Sequence, residues 1–393
     1  MNRIIHSPAG MRDILGTEYE RKMELCSRIK DIFISYGYRF IQTPALEFLD
    51  VFEMDGRKGS SSAFYKLFDR DGHTLALRPD FTPSVARAVS MYYTDEELPL
   101  RLCYKGNVYV NHGNYRGRLN ETTEMGVELL NDDSPAADAE AISMAVEIMK
   151  KAGLSDFRIS IGNVAYFKAL VKAAGLDEDT VDELRILLTQ RNQFGAQELV
   201  DKQQITPELK NAFMEFFTLF GDADVLDRAQ SAAGIEGANE ALSRLKEVYG
   251  LLKLYGCEKY ISFDLGMLSN YTYYTGIIFQ ALTYGTGDAV IKGGRYDSFV
   301  EKFGKNSPAV GFTARADEIL TALMRQKKAA SCGPERTMVI YSERSIREAQ
   351  QEIIHLRSEG RAVSGMLFDD RFTKEEHVAH CERHSFQKIV WMI

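Results

Sequence analysis

Apolar positions change their period along this chain, and each change predicts an element. Over residues 17–37, Met23, Leu25, Ile29, Ile32 and Phe33 recur near a 3.6-residue spacing, which predicts a helix ended by Gly37. YRFIQTPALEF then reads as a strand and turn broken by Pro44, and GRKGSSS (56–62) as a flexible loop. FYKLFD, RDGH and TLALRPD form a hairpin pattern. FTPSVARAVSMYY opens a helix with Thr82 as N-cap and Pro83 in its first turn. Residues 101–130 predict a second hairpin around an HGNYRGR loop, residues 138–152 an amphipathic helix, and FRISIGN (157–163) a strand. From 165 to 255 the pattern is helical, and strand patterns return at 262–283, including YYTG. After a KKAASCGP linker, TMVIYS, SIREAQQEIIHLRSEG, AVSGML, KEEHVAHCERH and KIVWMI alternate strand with helix, which predicts a small βαβαβ layer.

These periods predict an α+β protein in two parts. Residues 1–328 form an antiparallel sheet flanked by helices, with a helical insertion at about 165–255, and residues 329–393 form a small α/β domain. With 393 residues, 45% of them hydrophobic, the chain buries a large core without disulfide staples. Its five cysteines are scattered without a CxxC pair, which fits a reducing compartment. The N-terminal MNRIIHSPAGMRD lacks the apolar run of a signal peptide, and no segment is apolar for long enough to span a bilayer. A cytoplasmic protein without membrane contact is expected. A net charge of -8 weighs against a nucleic-acid partner, whose phosphates attract basic patches.

Candidate chemistry lies on four segments. In ETTEMGVELL (121–130), Met125, Val127 and Leu129 point one way and Glu124, Gly126 and Glu128 the other. Two carboxylates flanking a glycine make an open floor suited to an ammonium or imidazole; a solvated strand face is the plain alternative. LALRPDFTPSVAR places Arg78, Asp80 and Thr82 where a strand becomes a helix, either as a ligand-binding corner or as a capping turn with an Arg78–Asp80 ion pair. Tyr271, Tyr273, Tyr274 and Tyr284 crowd one strand pair, for stacking on a planar ligand or for packing. His377, His380, Cys381 and His384 share one helix face, but a single straight helix rarely closes a tetrahedral metal site, so an ordinary surface helix is expected. IKGGRYD is no phosphate loop, and neither a Ser/His/Asp order nor HExxH occurs; no metal or cofactor is expected.

The order PAGMRD, YGYRFIQTPALE, LALRPDFTPSVAR, GRLNETTEMGVELL, YYTGIIFQ, KGGRYD and PAVGF resembles the histidyl-tRNA synthetases over about residues 6–325. It is more similar still to their paralogs, the regulatory subunits of ATP phosphoribosyltransferase. Asp-Phe-Thr-Pro follows LRP where synthetases read Glu-Gly-Thr. The family's nucleotide-binding Arg-x-Glu reads Val110-Asn111-His112, and its other arginines fall at Asn120, Ser269 and Glu318. The 63 residues after the core are short for an anticodon-binding domain and carry nine Lys and Arg against ten Asp and Glu.

The resemblance implies a class II synthetase-like fold. Two lost arginine contacts cost about 3–6 kcal/mol of ATP binding, and a carboxylate near phosphate about 3 more. Synthetase activity is therefore expected to be lost. Asp80, Thr82, Glu124, Glu128 and Tyr274 match positions lining the family's histidine pocket, although Asp80 shortens a glutamate and Glu124 replaces a glutamine. The implied protein is a non-catalytic regulatory subunit: a homodimer within a hetero-oligomer with the short-form catalytic subunit, at the first step of histidine biosynthesis. Histidine feeds back on it, from this pocket or from the subunit contact, and no tRNA is bound. The alternative is a divergent histidyl-tRNA synthetase-like amino-acid-activating enzyme; a module sensing histidine or uncharged tRNA is a third reading.

Overall fold

The computed structural model describes residues 6–54, 63–113, 118–268, 273–328, 333 and 335–393. The loop expected at 56–62, the middle of the HGNYRGR loop, Ser269, Tyr271 and most of the KKAASCGP linker lie outside these residues. The chain divides into two compact units, residues 1–12 with 25–329 and residues 13–24 with 330–393.

Among the described residues the strands, in chain order, are β1 (Arg39–Phe40), β2 (Leu46–Phe48), β3 (Lys66–Phe68), β4 (Thr74–Leu77), β5 (Leu100–Tyr109), β6 (Glu121–Leu130), β7 (Phe157–Asn163), β8 (Phe220–Gly221), β9 (Ile261–Asp264), β10 (Ile277–Thr283), β11 (Ile291–Arg295), β12 (Ala309–Arg315), β13 (Arg336–Tyr341), β14 (Ala362–Leu367) and β15 (Lys388–Met392). The first unit holds a nine-stranded sheet in the order β1-β5-β6-β12-β11-β10-β7-β9-β8. Its middle is antiparallel, but β1 joins β5 and β9 joins β7 in parallel, so the sheet is mixed rather than purely antiparallel. β2, β4 and β3 form a separate small antiparallel sheet.

The helix Gly16–Ser35 buries Leu25, Cys26, Ile29, Ile32 and Phe33 in the first unit's core, while Met23 is exposed. The helix Pro135–Ala152 starts at Ser134, whose hydroxyl accepts the Ala137 N–H, and ends at Gly153 in the left-handed conformation. It is not amphipathic. Its residues are buried nearly all round, because the sheet covers one side and the helix Glu236–Leu254 another. Alanines at 137, 139, 141 and 145 let both neighbours approach closely. Between β7 and β9 the chain is helical apart from the two-residue β8. Side chains of Asn163, Asp177, Asn192 and Thr206 cap four of these helices, which is why the helical pattern is legible there.

Two boundaries differ from expectation. Tyr273 to Gly276 precede β10 instead of lying in a strand. The helix Thr82–Tyr92 begins without a side-chain cap, its cap residue being Phe81.

The second unit is a three-stranded parallel sheet, β14-β13-β15. The helix Ile346–Ser358 packs Ala349, Ile353 and Leu356 with Val339 and Val363, and the helix Lys374–Arg383 brings Cys381 against Met338 and Ile340. Residues 13–24 belong to this unit, where Glu20 pairs with Arg336. Among the described residues no helix is long and apolar enough to cross a membrane.

Candidate functional site

Pairing β5, β6, β12 and β11 lays three rows of side chains across one face of the large sheet. Glu128 lies opposite Gly311, and Gly126 lies between Tyr104 and Thr313, with Lys292 beyond Thr313. Glu124 lies between Gly106 and Arg315. Above this face sits a cavity of about 360 Å³, and Asp80, Thr82, Glu124, Glu128 and Tyr274 all line it. The five residues marked in the sequence are thus brought together.

Glu128 is 1% exposed and is caged by hydroxyls. Thr82 Oγ1 donates to its Oε1 at 2.8 Å, Tyr104 Oη to the same oxygen at 3.2 Å, and Tyr296 Oη to Oε2 at 2.5 Å. Thr82 therefore turns its hydroxyl to Glu128 instead of capping its own helix. Residue 311 must be glycine, since a Cβ there would stand 1.8 Å from Glu128 Oε2. Gly126 does not leave room for a ligand as expected. Tyr104 fills that space, its Oη lying 2.4 Å from where a Cβ would stand. Tyr104 stacks on Phe81 with centroids 4.3 Å apart and meets Thr313 Oγ1 at 2.9 Å.

Burial pushes Glu128 up to about 8 even against its three donors. Burial and the neighbouring Asp80 push Glu124 up to about 8, with Arg315, Lys292 and Arg78 pulling the other way. The Arg78–Asp80 ion pair does not take the expected form. Arg78 Nε donates to Asn107 O at 2.8 Å and Nη1 to Thr43 O at 3.1 Å, with the guanidinium 4.0 Å from the Phe81 ring centroid. Asp80 Oδ1 accepts the Thr82 N–H at 3.2 Å.

The end of the cavity at Glu124 also holds cations. Arg118, Lys292 and Arg315 line it, with His112 and Asp288. Asp288 accepts from Lys292 at 2.9 Å and from Arg315 at 3.0 Å. Burial opposes its ionisation, but these two cations prevail and hold it at about 2. Cations thus line the cavity although the resemblance implies that the family's nucleotide-binding arginines are replaced. Glu318 lies on the helix Ala316–Arg325, outside the cavity lining, while Arg315 reaches into it. Asn120 clips the N-terminal segment. Its Nδ2 donates to Ala9 O at 3.1 Å and Tyr65 Oη at 2.9 Å, and its Oδ1 accepts the His112 N–H at 3.3 Å.

Of the tyrosines, Tyr273 and Tyr274 both line the cavity, and Tyr273 also packs on Phe299 with ring centroids 4.8 Å apart. Tyr284 is 75% exposed in a turn and belongs to no such cluster. The His/Cys face of the last helix divides. Cys381 is in the core, and His377 Nδ1 donates to Thr373 O at 2.8 Å while its Nε2 accepts the Asp369 N–H at 3.4 Å. Both His377 nitrogens are occupied by backbone, which leaves neither for a metal. Tyr104, Tyr296, Lys292 and Arg315 were not marked as site residues in the sequence. Their signal is tertiary, in that Tyr104 meets Gly126, Arg315 meets Glu124 and Lys292 meets Thr313 only once strands are paired, and Tyr296 reaches Glu128 from just past β11.

The histidyl-tRNA synthetase family matches residues 10–319. An ATP phosphoribosyltransferase regulatory subunit of Acetivibrio thermocellus is 39% identical over 359 residues, covering 91% of this chain and 86% of its own. The protein of that name from Thermoanaerobacter pseudethanolicus is 35% identical over 389 residues, covering 99% of this chain and 100% of its own. A solved ATP phosphoribosyltransferase regulatory subunit/histidyl-tRNA synthetase from Bacillus halodurans superposes with a TM-score of 0.88 at 30% identity, covering 100% of this chain and 99% of its own. A Nostoc histidyl-tRNA synthetase, at 21% identity and a TM-score of 0.80 over 98% of this chain and 90% of its own, shares the fold. The sheet and these relatives show that the chain belongs to the family of ATP phosphoribosyltransferase regulatory subunits, built on the histidyl-tRNA synthetase fold.

Proposed function

We propose that this chain is a non-catalytic regulatory subunit. It binds a short-form ATP phosphoribosyltransferase catalytic subunit, forms a homodimer within the hetero-oligomer, and carries feedback by histidine in the cavity above β6 and β12. The observation that carries the non-catalytic reading is Asn120. It stands where the synthetase family has an arginine, and its amide is engaged with Ala9, Tyr65 and His112. The acidic floor of Asp80, Glu124 and Glu128 suits the ammonium and imidazole of histidine, and a cavity of about 360 Å³ is at the small end of ligand sites, which span roughly 300–1,000 Å³. Histidine shifts the complex only through different affinities for its active and inhibited states.

The test is to mix the chain with a short catalytic subunit and follow phosphoribosyl transfer with and without histidine. Activity that requires this chain and falls with histidine is expected; a chain that changes neither rate nor inhibition refutes the reading. One observation favours a second reading. Arg118, Lys292 and Arg315 line the cavity and are cations of the kind a triphosphate needs. Histidine-dependent ATP–pyrophosphate exchange would make the chain an amino-acid-activating enzyme.

A further inference from the structure

The cavity's two ends differ along the sheet, with Glu128 at one and Arg315, paired with Glu124, at the other. At the acidic end, Glu128 accepts from Thr82, Tyr104 and Tyr296, with Asp80 nearby in the same lining. At the other end, Lys292 and Arg315 are neighbours on β11 and β12, and one carboxylate, Asp288, stands between them. Lys292 and Arg315 share Asp288 there, Arg315 also pairs with Glu124 across β6 and β12, and Arg118 adds a third cation to the lining. Asp288 also holds both side chains in place. Lys292 donates to Oδ1 and Arg315 to Oδ2, so the ammonium and the guanidinium face the cavity from fixed positions. Arg315 is tied further by Ala289 O at 3.2 Å.

We infer that Arg315 and Lys292 form a carboxylate-reading subsite, so that the cavity selects an intact amino-acid zwitterion over an amine lacking the carboxylate. The ammonium and imidazole lie against the acidic floor and the carboxylate against Arg315, which offers planar N–H donors to it. This rests on the reading of the cavity as a histidine site, and it names the residues that set the site's specificity.

The experiment measures L-histidine and histamine binding by calorimetry on the full chain and on Arg315→Gln, Lys292→Gln and Thr82→Val. The unaltered chain is expected to bind histidine at least tenfold more tightly than histamine. Arg315→Gln is expected to weaken histidine by about 10–100-fold, the range of a charge-assisted hydrogen bond, while histamine changes less than about twofold. Lys292→Gln, at a half-exposed side chain that threatens folding little, shifts the same ratio by a smaller factor. If Thr82→Val weakens both ligands but neither cation variant changes their ratio, the subsite is overturned and the histidine site stands. If Thr82→Val leaves histidine affinity unchanged, the histidine site itself falls, and the subsite with it.

Discussion

Glu124 sets a sharp test of the cavity's electrostatics. Burial and Asp80 hold its carboxyl at about 8, against an ordinary value near 4.5. In the empty cavity at pH 7 it is therefore about nine-tenths protonated. A ligand cation seated against it favours the carboxylate, so binding expels that proton. At pH 7 this deprotonation costs about 1.4 kcal/mol, a factor of ten, and by pH 8 the site is half ionised already. Histidine affinity should rise about fivefold from pH 7 to pH 8 through this group alone. A charge-assisted hydrogen bond returns about 1.5–3 kcal/mol. Glu124→Gln, which has neither the cost nor the charge, should then weaken binding by up to about tenfold at pH 7 and by more at pH 8. The decisive readout is proton release, measured by titration calorimetry at pH 7 in buffers of different ionisation enthalpy. The unaltered chain should release about 0.9 proton per site more than Glu124→Gln. Protons taken up or lost by the ligand itself cancel in this difference. Equal proton counts in the two proteins would refute the reasoning, whatever their affinities.

Other consequences concern stability. Glu124 and Glu128 both titrate higher folded than unfolded, so the folded chain binds more protons between about pH 4.5 and 8, and stability falls as pH rises through that window. The slope is at most about 1.4 kcal/mol per pH unit for each carboxylate, and urea midpoints for Glu124→Gln should decline less steeply than those of the unaltered chain; parallel profiles would count against it. Tyr296→Phe removes the donor to Glu128 Oε2 and should cost about 1–3 kcal/mol, read by urea unfolding; an unchanged midpoint means the cage does not stabilise the fold. Gly10→Ala sets a Cβ 2.6 Å from Asn120 Cγ at a φ of 76°, and should cost roughly 1–3 kcal/mol while loosening the Ala9–Asn120 clip, seen as faster amide exchange at Asn120. A wild-type exchange rate at Asn120 in that variant would show that the clip is not held by this packing.

Local chemistry was legible in the sequence, and tertiary capture was not. The β5–β6 and β3–β4 hairpins declare themselves by two-residue alternation around turn residues, and the helices between β7 and β9 by caps such as Asp177 and Thr206. Thr82 shows where such reasoning stops. A hydroxyl before an apolar helix reads as a cap, but Glu128, 46 residues away, takes it, because a buried carboxylate left without donors is the more expensive vacancy. The same competition explains Gly126. From one strand it looks like open floor, and only its pairing with Tyr104 shows that the space is filled. Asn120 reads as a lost arginine in the sequence, yet Arg315 and Lys292 escaped notice, since their side chains reach the same cavity only after β11 and β12 are in register. A site judged from one segment at a time therefore undercounts its charges. Glu124 and Glu128 share a single strand and were found, whereas Lys292 and Arg315 are divided between strands and emerge only from the sheet. That asymmetry made an acidic cleft appear where the folded chain sets cations beside its carboxylates, and both charges are what an amino-acid zwitterion requires.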